Sequence, residues 1–214
     1  GTVKGMTWGK DVNLDNILGP AAEITPTPLW SPNPSSSADL PEGRVNLAPL
    51  EDVRAPVPEL NEKVITSFNK LRGTTAQKAG WDFLAFLENA FLPLTSPFEP
   101  SLEKDWLYTG RGFAVSSSPF EADWMVAVKE DFGAQTYWRL YVRTLSQQGS
   151  QGQPLHEPPW DFEAQFSGSA QNFERGGAPA ESVPEGYWID FTELARAYGW
   201  KRFPALPSWR TSYS

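Results

Sequence analysis

"DWMVAVKEDFGAQTYWRLYVRT", residues 123–144, decides the fold. Apolar and polar side chains alternate with a period of two on both sides of "EDFG" (130–133), the pattern of strands rather than helices. The expectation is a β-hairpin with EDFG as a four-residue connection. In its second strand Tyr137, Arg139, Tyr141 and Arg143 share one face, and Trp138, Leu140 and Val142 share the other. Rings and guanidiniums alternating along a pleated face can stack on one another by cation–π contact, worth about 0.5–1 kcal/mol per exposed pair. The same face can instead be a platform for a sugar or an anionic polymer, because rings stack on C–H faces and arginine grips carboxylates bidentately. The residues leave both readings open.

Upstream of the hairpin the period changes. In "PELNEKVITSFNKLRG" (58–73) Leu60, Val64, Phe68 and Leu71 step by three or four, which predicts a helix stopped at Gly73. A second helix is expected in "TTAQKAGWDFLAFLENAFLPL" (74–94), with Phe83, Leu84, Leu87 and Phe91 on one stripe and Gly80 as a break. "YTGRGFAV" (108–115) reads as a further strand, with Gly110 and Gly112 as packing positions. Its G-x-G lacks the third glycine and the following helix of a dinucleotide loop.

Downstream, residues 145–185 are loop-like, rich in Gln, Gly, Ser and Pro. "GYWI" (186–189) predicts a last strand leading into the helix "DFTELARAYG" (190–199). Asp190 is placed to cap that helix, Phe191, Leu194, Ala195 and Tyr198 to face inward, and Gly199 to end it. Residues 1–58 are proline-rich and aperiodic, so they are expected to form an extended arm. Its apolar anchors, Trp8, Ile17, Leu29, Trp30, Val45, Leu47 and Leu50, predict that it lies pinned across the domain. The division is thus an arm at 1–58 and an α+β domain at 59–214, a small antiparallel sheet packed by two or three helices.

The chain has 214 residues, room for one sizeable domain. A net charge of −8 argues against nucleic acid as a partner, since gripping phosphates needs a basic patch. No run approaches the roughly 18 apolar residues of a membrane span, so no membrane insertion is expected. No charged start with an apolar h-region is present, so any export signal is expected to have been removed or to lie outside this sequence. The absence of cysteine excludes disulfides, thiol nucleophiles and thiolate metal sites.

With His156 the only histidine, in "QPLHEPPWDF" (153–162), a zinc centre lacks its ligands and a serine nucleophile lacks a convincing base. No metal and no cofactor are expected, although an all-carboxylate calcium site stays open. Glu130, Asp131, Glu157, Asp161, Glu163 and Asp190 offer carboxylates for metal-free glycoside hydrolysis, against the alternative that they are solvated surface groups and caps.

Five stretches carry a resemblance: "AGWDFLAFLENAFLPL", "DWLYTGRGFAV", "EDFGAQTYWRLYVRT", "PLHEPPWDFEAQFSG" and "PEGYWIDFTELARAYGWKRFPALPSWRTSY". Together they resemble the domain found C-terminal to TolB-like, WD-repeat-type β-propellers in exported bacterial proteins. That likeness implies an extracytoplasmic location and an arm, including "ITPTPLW", that joins the domain to a propeller. A fainter resemblance is to zinc D-alanyl-D-alanine carboxypeptidases, whose H-x-x-G-x-A-x-D pattern can be laid on Leu107, Gly110, Gly112 and Ala114, with Gly199 and Trp200 matching a late "GW". Leu107 and Ala114 occupy the ligand positions, and no histidine follows Trp209. The resemblance therefore implies a scaffold without zinc, with Tyr108, Arg111 and the Tyr137/Arg139 face beside the old substrate groove.

The expected function is a non-catalytic binding or interaction domain of an exported bacterial protein, recognising cell-wall glycan or peptide. Its candidate ligand-binding residues are Tyr108, Arg111, Tyr137, Arg139, Tyr141, Arg143 and Trp160. The alternatives are a metal-free glycan hydrolase using two carboxylates, and a structural adaptor packed on a β-propeller.

Overall fold

A computed structural model describes residues 46–93, 106–206 and 208–210. The expected arm lies outside the described residues as far as residue 45. The described chain begins with β1 (Leu47–Pro49), paired antiparallel with β2 (Glu59–Asn61), which runs straight into α1 (Glu62–Ala79). After a 3-10 turn at Phe83–Ala85 comes β3 (Leu87–Asn89). A second 3-10 turn (Trp106–Thr109) precedes β4 (Ala114–Val115), the partner of β3, and then the short helix α2 (Ser118–Glu121). The hairpin is β5 (Met125–Phe132) and β6 (Gln135–Arg143). β7 (Trp160–Asp161), a 3-10 turn (Glu163–Phe166), α3 (Ala170–Arg175) and β8 (Ala178–Pro179) follow, with β7 paired to β8. β9 (Trp188–Asp190) and α4 (Phe191–Ala197) complete the order. The main sheet is antiparallel β5-β6-β9, so the chain is an α+β protein built on small antiparallel sheets.

α1 starts where Asn61 Oδ1 accepts the Lys63 N–H at 3.1 Å, but it does not stop at Gly73. The stripe of Phe68 and Leu71 continues through Thr75 and Ala79, all buried. A mid-helix glycine costs about 1 kcal/mol relative to alanine. Ending there would leave Thr75 and Ala79 without their buried positions. The stop is Gly80, at φ 81°, whose N–H reaches the Ala76 carbonyl at 2.8 Å. The expected second helix is thereby lost: its first part is the end of α1, and its apolar run becomes a 3-10 turn and β3. Phe83, Leu84 and Leu87 are buried as that run suggests, while Phe86 points out. A short apolar run does not by itself distinguish strand from helix, and pairing with β4 settles it.

Of "YTGRGFAV" only Ala114–Val115 joins a ladder. Gly110, at φ 64°, lies against β2, where its carbonyl accepts the Asn61 N–H at 2.7 Å. A Cβ there would fall 2.7 Å from Leu47 Cδ2 and 2.9 Å from Asn61 N, so glycine is required. Gly112 meets only ordinary contacts.

The hairpin connection is two residues, Gly133 and Ala134, not four. Glu130, Asp131 and Phe132 stay in the ladder, opposite Tyr137, Thr136 and Gln135. Gly133 takes φ 62° at the first loop position, the conformation a II′ turn demands, and such a turn suits the twist of paired strands. The proximal half of the sheet packs on α1: Met125, Val142 and Ile189 join Phe68, Leu71, Phe83, Leu84, Phe191 and Leu194 in one core. Each such fully buried side chain contributes about 1.5–3 kcal/mol. Edge-on ring pairs, Phe83–Phe191 at 4.9 Å and Phe113–Trp200 at 4.7 Å, fill it. Leu50 and Val53, from the stretch counted with the arm, are buried in the same core.

Candidate functional site

Strand register sorts the hairpin side chains onto two faces, and β6 carries a different chemistry on each. Tyr137, Arg139, Tyr141 and Arg143 do share one face, opposite Glu130, Val128 and Val126 of β5, with Asp190 of β9 beside Tyr141. Arg139 is the hub. Its Nε and Nη2 donate to Asp190 Oδ2 at 2.8 and 2.5 Å, and its Nη1 donates to Glu130 Oε1 at 3.3 Å. These bonds hold the guanidinium pKa above its ordinary value, the Asp190 hydrogen bond first among the causes. The same guanidinium stacks 5.8 Å from the Tyr141 centroid, and burial holds the Tyr141 phenol above the usual tyrosine range. Asp190 is committed twice over, since its Oδ1 also accepts the Glu193 N–H at 2.9 Å and starts α4.

Further along this face Arg202 pairs with Glu130 and lies over the rings of Tyr137 (5.2 Å) and Phe132 (6.0 Å). Arg143 stacks 5.8 Å from Trp188. The face is a ladder of rings and guanidiniums in which Arg139 and Arg202 are paired with carboxylates of the chain and Arg143 stacks on a ring. Tyr108 and Arg111 lie elsewhere, on the second 3-10 turn and the residues after it, where the chain closes on β1 and β2.

Trp160 sits across the sheet from that face. At the distal end of the hairpin it meets Trp138 at 6.2 Å and Trp209 at 6.2 Å, while Trp138 and Trp209 cross edge to face at 5.0 Å. Phe162 closes the side, 4.9 Å from Trp138. Lys129, opposite Trp138 in the ladder, places its Nζ over Trp160 and Trp209 and bonds Asp131 Oδ2 at 2.6 Å. That bond, with one from Thr136 Oγ1, lowers the Asp131 pKa below its ordinary value. The segment after α4 makes this possible by wrapping the hairpin: Arg202 lies on one face, the Ala205 N–H bonds the Thr136 carbonyl at 2.7 Å, and Trp209 lies on the other face. Trp138, Lys129, Phe162 and Trp209 escape sequence reading because four separate segments supply the cluster. The one available signal is the place of Trp138 on the inward parity of β6.

Beside this cluster stands a lobe, residues 161–175, in which nothing is buried. Its shape is held locally. Asp161 Oδ1 accepts the Glu163 and Ala164 N–H groups, Ser169 Oγ caps α3 at Asn172, and Gly176 ends α3 at φ 69°. It exposes Phe162 (37 %), Phe166 (46 %) and Phe173 (58 %) amid Asp161, Glu163, Glu174 and Arg175.

The carboxylates considered for hydrolysis are scattered among structural duties. Glu130 and Asp190 hold Arg139, Asp131 holds Lys129, and Asp161 caps the turn after β7. His156 and Glu157 are exposed. Among the described residues no group of three or more His, Asp or Glu side chains is arranged to hold a metal ion, and no helix is long and apolar enough to cross a membrane. Compared with family models, with curated proteins and with solved structures, the chain has no match.

Proposed function

We propose that the chain is a non-catalytic interaction domain that works outside the cytoplasm in an exported bacterial protein, and that its binding surface is the phenylalanine-bearing lobe with the adjoining tryptophan cluster. The observation that carries this reading is the lobe itself, which keeps an ordered, capped shape while burying none of residues 161–175. Fixing a residue's backbone costs about 1–2 kcal/mol, and apolar rings held at a surface offset that cost when a partner covers them. The partner is a protein or peptide segment, since exposed aromatic side chains are the usual anchors of such interfaces. The tyrosine and arginine ladder serves as scaffold in this reading, because Arg139 is already shared between Asp190 and Glu130.

The test is surface plasmon resonance of the purified chain against peptidoglycan fragments and against a TolB-like propeller protein. Binding to one of them is expected, with loss in a Phe166→Ser/Phe173→Ser double variant whose unfolding midpoint is unchanged. Binding that ignores the double variant overturns the assignment of the surface. Release of reducing sugar from wall polymer overturns the non-catalytic reading.

A further inference from the structure

The tryptophan cluster has a property the lobe does not need: it already contains a cation. Lys129 Nζ stands 5.2 Å from the Trp160 ring centroid and 5.7 Å from that of Trp209, inside the range of about 6 Å over which a ring quadrupole attracts positive charge. Trp138 packs against both of those rings, and Asp131 supplies a counter-charge 2.6 Å from the ammonium. Two indoles and a carboxylate around a positive head are surroundings of the kind that recognise quaternary ammonium groups.

Lys129 is a weak resident of such a place. Its ammonium is a strongly hydrated point charge on a flexible four-carbon stem, suited to swinging out. Its ion pair is with Asp131; the lysine side chain is 19 % exposed, but the carboxylate is 54 % exposed, so water competes for that end of the pair. A quaternary ammonium has no N–H to hydrate and gains more from the rings than a primary ammonium does. From this we propose that Trp160, Trp209 and Asp131, with Trp138 packed behind the two rings as support, form a recognition site for a quaternary ammonium group, with Lys129 as a tethered occupant that the ligand displaces. The inference does not depend on the lobe being an interaction surface.

Tetramethylammonium chloride and choline chloride are the probes, titrated against sodium chloride at matched ionic strength and followed by the indole N–H resonances of the full chain. The expected result is a saturable shift of the Trp160 and Trp209 signals, assigned by single substitutions. Lys129→Ala is expected to bind about two- to fivefold more tightly, because the competing contact is gone. Asp131→Asn is expected to bind more weakly without loss of fold, and Trp209→Ala to lose saturable binding. A wild-type protein with no saturable shift overturns the proposal, whatever the variants do. Affinity unchanged by Lys129→Ala also overturns it, since the lysine would not then occupy the site.

Discussion

α1 and the lobe at 161–175 use the same local devices and end with opposite fates. Each helix begins at a side-chain cap, Asn61 for α1 and Ser169 for α3, and each ends at a glycine with positive φ, Gly80 and Gly176. α1 buries Phe68, Leu71 and Ala79 completely, whereas α3 buries nothing. Caps therefore decide where a helix starts and stops, but not whether it belongs to a core. A helix as short as α3 is not stable alone in water, so the lobe is held by its caps, its β7/β8 stem and the Phe162 contact with Trp138. One region supplies stability and the other supplies surface.

The sharpest way to break that contrast is Phe68→Ala, which empties a fully buried position in contact with Phe113. It is expected to destabilise the protein by about 3–5 kcal/mol, read as a lower denaturant midpoint with an unchanged slope. Arg139→Ala is next. It strips hydrogen bonds from Asp190 and Glu130, with an expected cost of about 1–3 kcal/mol in thermal unfolding. Phe173→Ser in the lobe is expected to change stability by less than about 0.5 kcal/mol. Native-state hydrogen exchange sharpens the contrast without substitutions: amides of α3 are expected to open at near-zero free energy, and those of α1 only with global unfolding.

The smallest effect concerns Glu193, whose pKa is lowered chiefly by its hydrogen bond from Arg196. A carboxyl depressed in the folded state contributes stability above its unfolded pKa of about 4.3, and loses it as pH falls through the folded value. The gap in unfolding midpoint between wild type and Glu193→Gln should therefore be small at pH 7 and close as pH falls below the folded-state value. Both side chains of the pair are about half exposed, so added salt should narrow the gap at pH 7 as well.

Much of this architecture is legible in local pattern. Alternation marks β5 and β6 and sorts their side chains correctly onto two faces, because a pleated strand has a strict period of two. Asp190 as the cap of α4, with Phe191 and Leu194 inward, follows from helix geometry alone. The misreadings share a cause. Gly73 inside α1, the 3-10 turn and strand β3 where a second helix was expected, and the two-residue turn at Gly133 all turn on what a segment packs against rather than on its own composition.

The candidate site was less legible. Tyr137, Arg139, Tyr141 and Arg143 were found as a face, but the partners Asp190 and Arg202 come from far along the chain, and Trp160 belongs to the opposite side of the sheet. Residue order specifies periodicity, caps and glycine stops, since these involve neighbours within one turn or one strand. The pairing of Arg139 and the meeting of Trp138, Trp160, Trp209 and Lys129 were decided only when distant segments packed together, because a contact between them leaves no periodic trace in either segment.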